Sequence, residues 1–116
     1  MEREFVMMPE FDRQWRAMGL TDEDLKELQL ELLNEPAKAP VVKGTGGLRK
    51  IRVNLPGKGK SGSARVAYVD FAIFETVYLI TAYAKSKKET LSDRECAIIK
   101  AMIAQLEESL RIRREQ

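Results

Sequence analysis

The sequence predicts a small α+β domain in which an antiparallel, curved sheet follows two helices and precedes a third. Three observations support this fold class. Apolar residues recur at helical spacing in two segments between residues 10 and 34, apolar and basic residues alternate at strand spacing from residue 48, and a serine with a capping-box pattern opens a long amphipathic segment at residue 92. The 116 residues fit one domain, which we expect to span residues 1–116.

The N-terminal segment predicts a strand and then a helix. Residues 4–8 are strand-like until a proline follows. Phe11 and Trp15 then begin a helical repeat within residues 10–18, and we expect both aromatic side chains to pack in the core. Gly19 has the position of a C-cap, where a left-handed backbone is favourable.

A second helix is predicted to start after Thr21. The threonine can act as the N-cap, and the acidic residues behind it lie at the positive end of the helix dipole. The helix ends before Pro36. Its apolar stripe consists of Leu25, Leu28, Leu32 and Leu33.

Three strands are predicted to form an antiparallel meander. Residues 48–53 combine apolar and basic side chains, which alternate regularly from Lys50 to Val53; this pattern indicates a half-buried strand with its cations on the open face. The glycine-rich loop 56–63 joins it to a strand over 64–71, and a turn near Glu75 leads to a strand over 76–83.

The last helix is predicted to begin after Ser92, which pairs with a glutamate three residues later as in a capping box. We expect the helices to pack on one side of the sheet. The predicted apolar face of this helix consists of Ile98, Ile99, Met102, Ile103, Leu106 and Leu110.

Charge is strongly segregated although the net charge is only +2. Residues 36–69 contain no acidic residue, whereas solvated surfaces ordinarily mix the two signs. An anionic partner, above all nucleic acid, explains such a stretch. The alternative is that these bases pair with the acidic N-terminal helices of the same chain. The eight bases are Lys38, Lys43, Arg49, Lys50, Arg52, Lys58, Lys60 and Arg65.

The residues that are missing exclude several kinds of site. The chain has no histidine and one cysteine, Cys96, which excludes the ordinary zinc sites, Cys/His catalysis and an internal disulfide. The run from Gly59 to Ser61 resembles the end of a phosphate-binding P-loop, but Asn54 stands where that motif needs its first glycine. We expect no metal, no cofactor and no membrane segment, and a cytoplasmic location.

The cations that remain can converge at one end of the sheet. Lys50 and Arg52 alternate on one strand, Arg65 begins the next, and Tyr83 ends the last. Such a cluster can cleave RNA, because the 2′-hydroxyl is the nucleophile and the protein needs only a proton acceptor, a proton donor and positive charge at the phosphorus. Crowded cations lower one another's pKa, so a lysine of the cluster can serve as the base. The neighbouring cations are Lys58, Lys60, Lys85, Lys87 and Lys88.

Four runs of the sequence resemble the HigB branch of the RelE/ParE toxin superfamily. They are GTGGLRKIRV at residues 44–53, GKGKSG at 57–62, ARVAY at 64–68 and LITAYAK at 79–85, and the likeness extends over nearly the whole chain. The resemblance implies a toxin of a type II toxin–antitoxin module that cleaves mRNA in the ribosomal A site. It also implies a HigA-like helix-turn-helix antitoxin as partner. The toxin would contact operator DNA only as part of its complex with that antitoxin.

The resemblance also assigns roles to the cations. Lys50 and Arg52 match the family's lysines on the second sheet strand, and Arg65 matches its phosphate-binding arginine. With the neighbouring cations, the predicted catalytic residues are Lys50, Arg52, Lys60, Arg65 and Lys85. The predicted RNA- or ribosome-binding residues are Arg49, Lys58, Tyr83, Lys87 and Lys88.

This chain departs from the RelE pattern in its longer loop 56–63 and at two further places, and two other functions stay open. Ser86 stands where RelE has an arginine after the last strand, and the C-terminal helix has no aromatic residue to match the tyrosine that stacks on RNA. One alternative is a ParE-like toxin that inhibits DNA gyrase and is not a nuclease. The other is a plain RNA-binding module, although only 7% of the residues are aromatic.

Overall fold

A computed structural model describes residues 2–55, 63–84 and 91–116. The predicted order of elements is confirmed, with bounds close to those expected. A single 3₁₀ turn, Ala72–Phe74, separates the last two strands. The elements are β1 (Glu4–Met7), α1 (Pro9–Ala17), α2 (Asp22–Asn34), β2 (Arg49–Asn54), β3 (Ser63–Phe71), β4 (Thr76–Ala84) and α3 (Asp93–Glu115).

Local sequence signals begin and end the helices as predicted. Thr21 and Asp24 form a capping box at the start of α2, and Ser92 and Glu95 form another at the start of α3. Each box satisfies backbone N–H groups that have no partner inside the helix. After α1, Gly19 has a φ of 77°, a left-handed conformation that glycine adopts without a steric penalty.

The four strands form one sheet in the order β1-β4-β3-β2. The predicted antiparallel meander is confirmed for β2, β3 and β4. β1 adds to the free side of β4 in parallel orientation, from Glu4 opposite Thr76 to Met7 opposite Leu79, so the complete sheet is mixed. This parallel position is possible because α1 and α2 form a long connection between β1 and β2.

The helices lie on both sides of the sheet, so the expectation that they share one side is wrong. On one face, which we call the helix-pair face, α1 and α2 cover a core that includes Phe11, Trp15 and Val66. On the other, the α3 face, α3 covers a second core that includes Val69 and Ile103. Helices on both sides cover both faces of β3, because almost all of its residues are buried, whichever way they point.

The packing of α3 corrects one predicted core residue. Ile98 is 61% exposed, whereas the residue after it, Ile99, packs against the core under α3. The buried stripe runs through positions 99, 102, 103, 106 and 110, which is helical spacing, and Ile98 falls outside it. Phe11 and Trp15 are buried, as predicted, and their rings also stack on each other.

A largely buried ion pair joins Arg3, the residue before β1, to Asp70 of β3. The guanidinium of Arg3 donates two hydrogen bonds to the Asp70 carboxylate, at 2.8 and 3.3 Å. The side chains are only 8% and 9% exposed, and Asp70 raises the pKa of Arg3 through this contact.

No helix within the described ranges is both long enough and apolar enough to cross a membrane.

Candidate functional site

Three neighbouring strands bring predicted site residues into one row. Arg52 of β2 lies directly opposite Arg65 of β3, and Arg65 lies opposite Tyr83 of β4. Lys50 stands two residues before Arg52, in the adjacent row with Ala67 and Thr81. We call Lys50, Arg52, Arg65 and Tyr83 the cationic cluster.

Side-chain alternation places the cationic cluster on the α3 face. Ile51 and Val66 belong to the core under α1 and α2, so their neighbours Lys50, Arg52 and Arg65 point to the other side. Ala67, opposite Lys50, belongs to the core under α3. The predicted convergence of these residues at one end of the sheet is therefore confirmed.

A β-bulge brings Tyr83 to the cluster. The register is shifted in the middle of the pair: Tyr68 faces Leu79, whereas Ala67 faces Thr81, and Ile80 is left without a partner on β3. An unbroken register would have placed Ala82 opposite Arg65. The extra residue reverses the alternation of β4 from there on, so Tyr83 points to the α3 face and Ala82 to the helix-pair face.

Lys50 and Tyr83 touch across the width of β3. The ammonium nitrogen of Lys50 lies 5.5 Å from the centroid of the Tyr83 ring, within the range of a cation–π interaction. Strands β2 and β4 are separated by about 9.5 Å, twice the ordinary strand spacing. Contact across this distance is possible because the residue between them, Ala67, has only a methyl group.

The Tyr83 hydroxyl oxygen is buried and has no hydrogen-bond partner among the described residues. A buried hydroxyl ordinarily has a partner, because leaving it unpaired costs free energy. This atom is therefore an unsatisfied polar group next to the cationic side chains.

Arg52 and Arg65 are like charges on opposed positions of neighbouring strands. Such pairs have Cβ atoms about 5 Å apart and destabilise a sheet. Arg52 is exposed, whereas Lys50, Arg65 and Tyr83 are half-buried. A bound anion, above all a phosphate that accepts bidentate hydrogen bonds from guanidinium groups, would turn this repulsion into attraction.

Arg49 is not part of the cationic cluster, although it is adjacent to Lys50 in sequence. It lies opposite Tyr68 on the helix-pair face, where it donates hydrogen bonds to the carbonyl oxygens of Ala39 at 2.5 Å and Ala37 at 3.5 Å. The Tyr68 hydroxyl donates to the carbonyl oxygen of Pro36 at 2.9 Å, and burial raises the pKa of Tyr68. Both side chains anchor the segment between α2 and β2.

The internal-pairing explanation of the basic stretch holds for Lys38. Lys38 lies 2.7 Å from the Glu31 carboxylate of α2, which raises the pKa of Lys38. Five predicted site residues lie outside the described residues, in the segments that follow β2 and β4 along the chain. They are Lys58, Lys60, Lys85, Lys87 and Lys88.

The described residues contain no candidate metal centre. Among residues 2–55, 63–84 and 91–116, no group of three or more acidic, cysteine or histidine side chains could hold a metal ion.

Sequence reasoning missed the small residue Ala67 and the bulge at Ile80. An alanine inside a run of bulky strand residues is the one local signal that could have indicated a close approach above the sheet.

Comparison with known proteins identifies the relatives of this chain. Residues 6–112 match the family model described as the RelE toxin of the RelE/RelB toxin–antitoxin system. The fold is similar to that of E. coli toxin RelE, in the structure of a double arginine-to-alanine mutant in the free state, with a TM-score of 0.54 and 22% sequence identity. The match covers 72% of this chain and 83% of the E. coli chain.

Proposed function

Because the chain belongs to the RelE toxin family of toxin–antitoxin systems, we propose that it is a HigB-type endoribonuclease that cleaves messenger RNA in the ribosomal A site and thereby inhibits translation. The observation that carries this proposal is the pairing of Arg52 with Arg65 on the α3 face, with Lys50 and Tyr83 beside them. The proposed site of action is the cytoplasm, where the ribosomes are.

The chemistry requires no metal. The 2′-oxygen of the RNA attacks the adjacent phosphorus, the bond from phosphorus to the 5′-oxygen breaks, and a 2′,3′-cyclic phosphate is left. Arg52 and Arg65 stabilise the negative charge that develops on the phosphoryl oxygens. A lysine, either Lys50 or one of Lys60 and Lys85, accepts the proton of the 2′-hydroxyl, and a second cation protonates the leaving oxygen.

The proposed partners follow from the family and from the charge of the site. The antitoxin of the module is a HigA-like helix-turn-helix protein, and the toxin contacts operator DNA only as part of that complex. The proposed contacts with mRNA or ribosomal RNA are made by Lys58, Tyr83, Lys87 and Lys88. Arg49 is the exception among the predicted contacts, because its hydrogen bonds hold it on the helix-pair face.

A charge-matched pair of variants tests the proposal. We expect Arg52→Ala/Arg65→Ala to lower the rate of mRNA cleavage by about 10²–10⁴-fold, since each arginine stabilises transition-state charge. The control, Lys38→Ala/Lys43→Ala, removes the same charge from the same basic stretch but away from the cluster. We expect the control to keep both cleavage and growth arrest.

The readout is a map of mRNA 5′ ends in translating cells after induction of each variant. Cuts at A-site codons with wild type and control, but not with the double variant, support the proposal. Growth arrest with intact mRNA and stalled gyrase–DNA complexes would instead identify a ParE-like toxin. Full toxicity of the double variant would show that the cluster is not the active site.

A further inference from the structure

Ala67 is a small residue at a buried position of β3 where strand propensity favours a larger one. The two residues that follow it on the α3 face of the strand, Val69 and Phe71, are both buried in the core under α3. Ala67 itself is only 3% exposed, and β-branched or aromatic side chains suit a buried strand position better than alanine does. Strand propensity therefore does not account for the alanine.

Packing does not account for the alanine either. A cavity of about 380 Å³ opens beside Ala67, and its lining is mostly apolar, with Leu48 and Ile99 among the surrounding residues. Side chains that line such a space lack contacts that a larger neighbour would provide. A valine at position 67 has room for a methyl group in this cavity, so the core under α3 would accept the larger residue.

The alanine leaves open the path from Lys50 to Tyr83. Lys50 lies on β2 directly opposite Ala67, and Tyr83 lies on β4, one row further along. The Lys50 side chain therefore crosses β3 beside Ala67 before its ammonium nitrogen reaches a point 5.5 Å from the centroid of the Tyr83 ring. A β-branched residue has two heavy atoms on its Cβ, so at position 67 it would narrow this path.

We propose that Ala67 is a positioning residue of the cleavage site, because its small side chain lets Lys50 lie across β3 against the Tyr83 ring. In this position the ammonium group stays close to the row of Arg52 and Arg65, where the proposed function places the phosphate of the RNA. A lysine displaced by a bulkier neighbour would instead extend from the edge strand β2 into solvent. The effect on cleavage rests on the proposed function, whereas the placement of Lys50 does not.

The first test measures single-turnover cleavage on ribosomes that carry a defined mRNA. We expect Ala67→Val to lower the maximal rate by about 10–100-fold, as a displacement of about 1 Å in a reacting group does. The half-saturating toxin concentration should change by less than about threefold, because Arg52 and Arg65 still bind the phosphate. Ala67→Gly keeps the path open, so its maximal rate should stay within about threefold of the wild-type value.

The matched control is Ala82→Val. Ala82 is 1% exposed and belongs to the core on the helix-pair face, so the same substitution enlarges a buried alanine of the neighbouring strand on the opposite side of the sheet. We expect the folded control to cleave mRNA at the wild-type rate. Equal cleavage by Ala67→Val and the control would overturn the positioning role.

Thermal unfolding separates positioning from a purely structural role. We expect Ala67→Val to unfold at the wild-type temperature or up to about 5 °C above it, because valine fills space beside Ala67 and favours the strand. Ala67→Gly should unfold at a lower temperature, because glycine weakens a strand. Stability and cleavage therefore change in opposite directions at this position. If cleavage followed stability in both variants, Ala67 would serve the core alone and the proposal would fail.

The position of Lys50 is measured directly by NMR. The ε-methylene protons of a lysine that lies over an aromatic ring resonate at lower frequency than those of an exposed lysine. We expect this shift for Lys50 in the wild type and in Ala67→Gly, and its loss in Ala67→Val. Tyr83→Leu removes the ring and identifies the signal. The same shift in Ala67→Val would overturn the proposal, and so would its absence in the wild type, which decides the matter where a variant does not fold.

The outcomes distinguish this proposal from the preceding one. Wild-type protein that leaves mRNA on ribosomes intact would overturn the proposed function and the positioning role together. Wild-type cleavage that Ala67→Val retains in full would overturn the positioning role alone. Support for both requires cleavage by the wild type, its loss in Ala67→Val and the accompanying loss of the Lys50 shift.

Discussion

The two ends of β3 hold their charges in opposite ways. Near its C-terminal end, Asp70 forms a buried, bidentate ion pair with Arg3, and both charges are satisfied within the protein. Near its N-terminal end, Arg65 faces a second arginine, Arg52, on the next strand. A pair of opposite charges serves the fold, whereas two like charges in register destabilise it. Under the proposed function, the arginine pair instead binds the phosphate of the RNA.

The largest expected effect on stability comes from breaking the paired end. Asp70→Ala leaves the Arg3 guanidinium buried without its partner, so we expect the free energy of unfolding to fall by about 3–5 kcal/mol. Urea unfolding followed by circular dichroism measures this change. A loss below about 1 kcal/mol would mean that Arg3 swings into solvent, since exposed ion pairs contribute that little.

The next effect distinguishes the two faces of β2. Arg49→Ala removes the hydrogen bonds to the carbonyl oxygens of Ala37 and Ala39, so we expect a loss of about 1–3 kcal/mol in unfolding free energy. Cleavage by the folded variant should remain. Arg52→Ala, three residues along the strand, is the matched control and should lose cleavage while keeping stability. If Arg49→Ala lost cleavage and Arg52→Ala kept it, the RNA would lie on the helix-pair face.

A smaller effect is expected at the Tyr83 hydroxyl. Tyr83→Phe removes a buried polar atom that has no partner among the described residues and leaves an aromatic ring for Lys50. We expect the free energy of unfolding to rise by about 1 kcal/mol, because the cost of an unsatisfied group disappears. Cleavage should fall if the hydroxyl contacts RNA. A destabilised variant would show that the hydroxyl is hydrogen-bonded in the folded protein.

Much of this fold follows from local sequence signals. Thr21 and Ser92 begin their helices because each carries its own capping partner three residues later. The placement of Lys50 and Arg52 on one face follows from the twofold alternation of any strand. Such features depend on neighbours in the chain, so one sequence is enough to predict them.

Features that depend on contacts between distant segments could not be predicted in this way. The meeting of Arg65 with Tyr83 depends on the bulge at Ile80, which a strand pattern alone does not locate. The side on which α3 packs is likewise set by the whole sheet, although the apolar residues at both odd and even positions of β3 are a usable signal. The sequence predicts Arg49 as an RNA- or ribosome-binding residue, because its hydrogen bonds to the carbonyl oxygens of Ala37 and Ala39 form only in the folded chain.

The smallest expected effect tests the arginine pair itself. Arg52→Thr removes one of two opposed like charges and introduces a residue that favours strands, so we expect a gain of about 0.5 kcal/mol in unfolding free energy. The gain should shrink as salt is added, because Arg52 is exposed and its repulsion is screened. Cleavage should be lost in the same variant. A protein that becomes more stable as it loses activity would show that the pair is kept for its ligand. Lower stability, independent of salt, would instead mean that Arg52 serves the fold as Asp70 does.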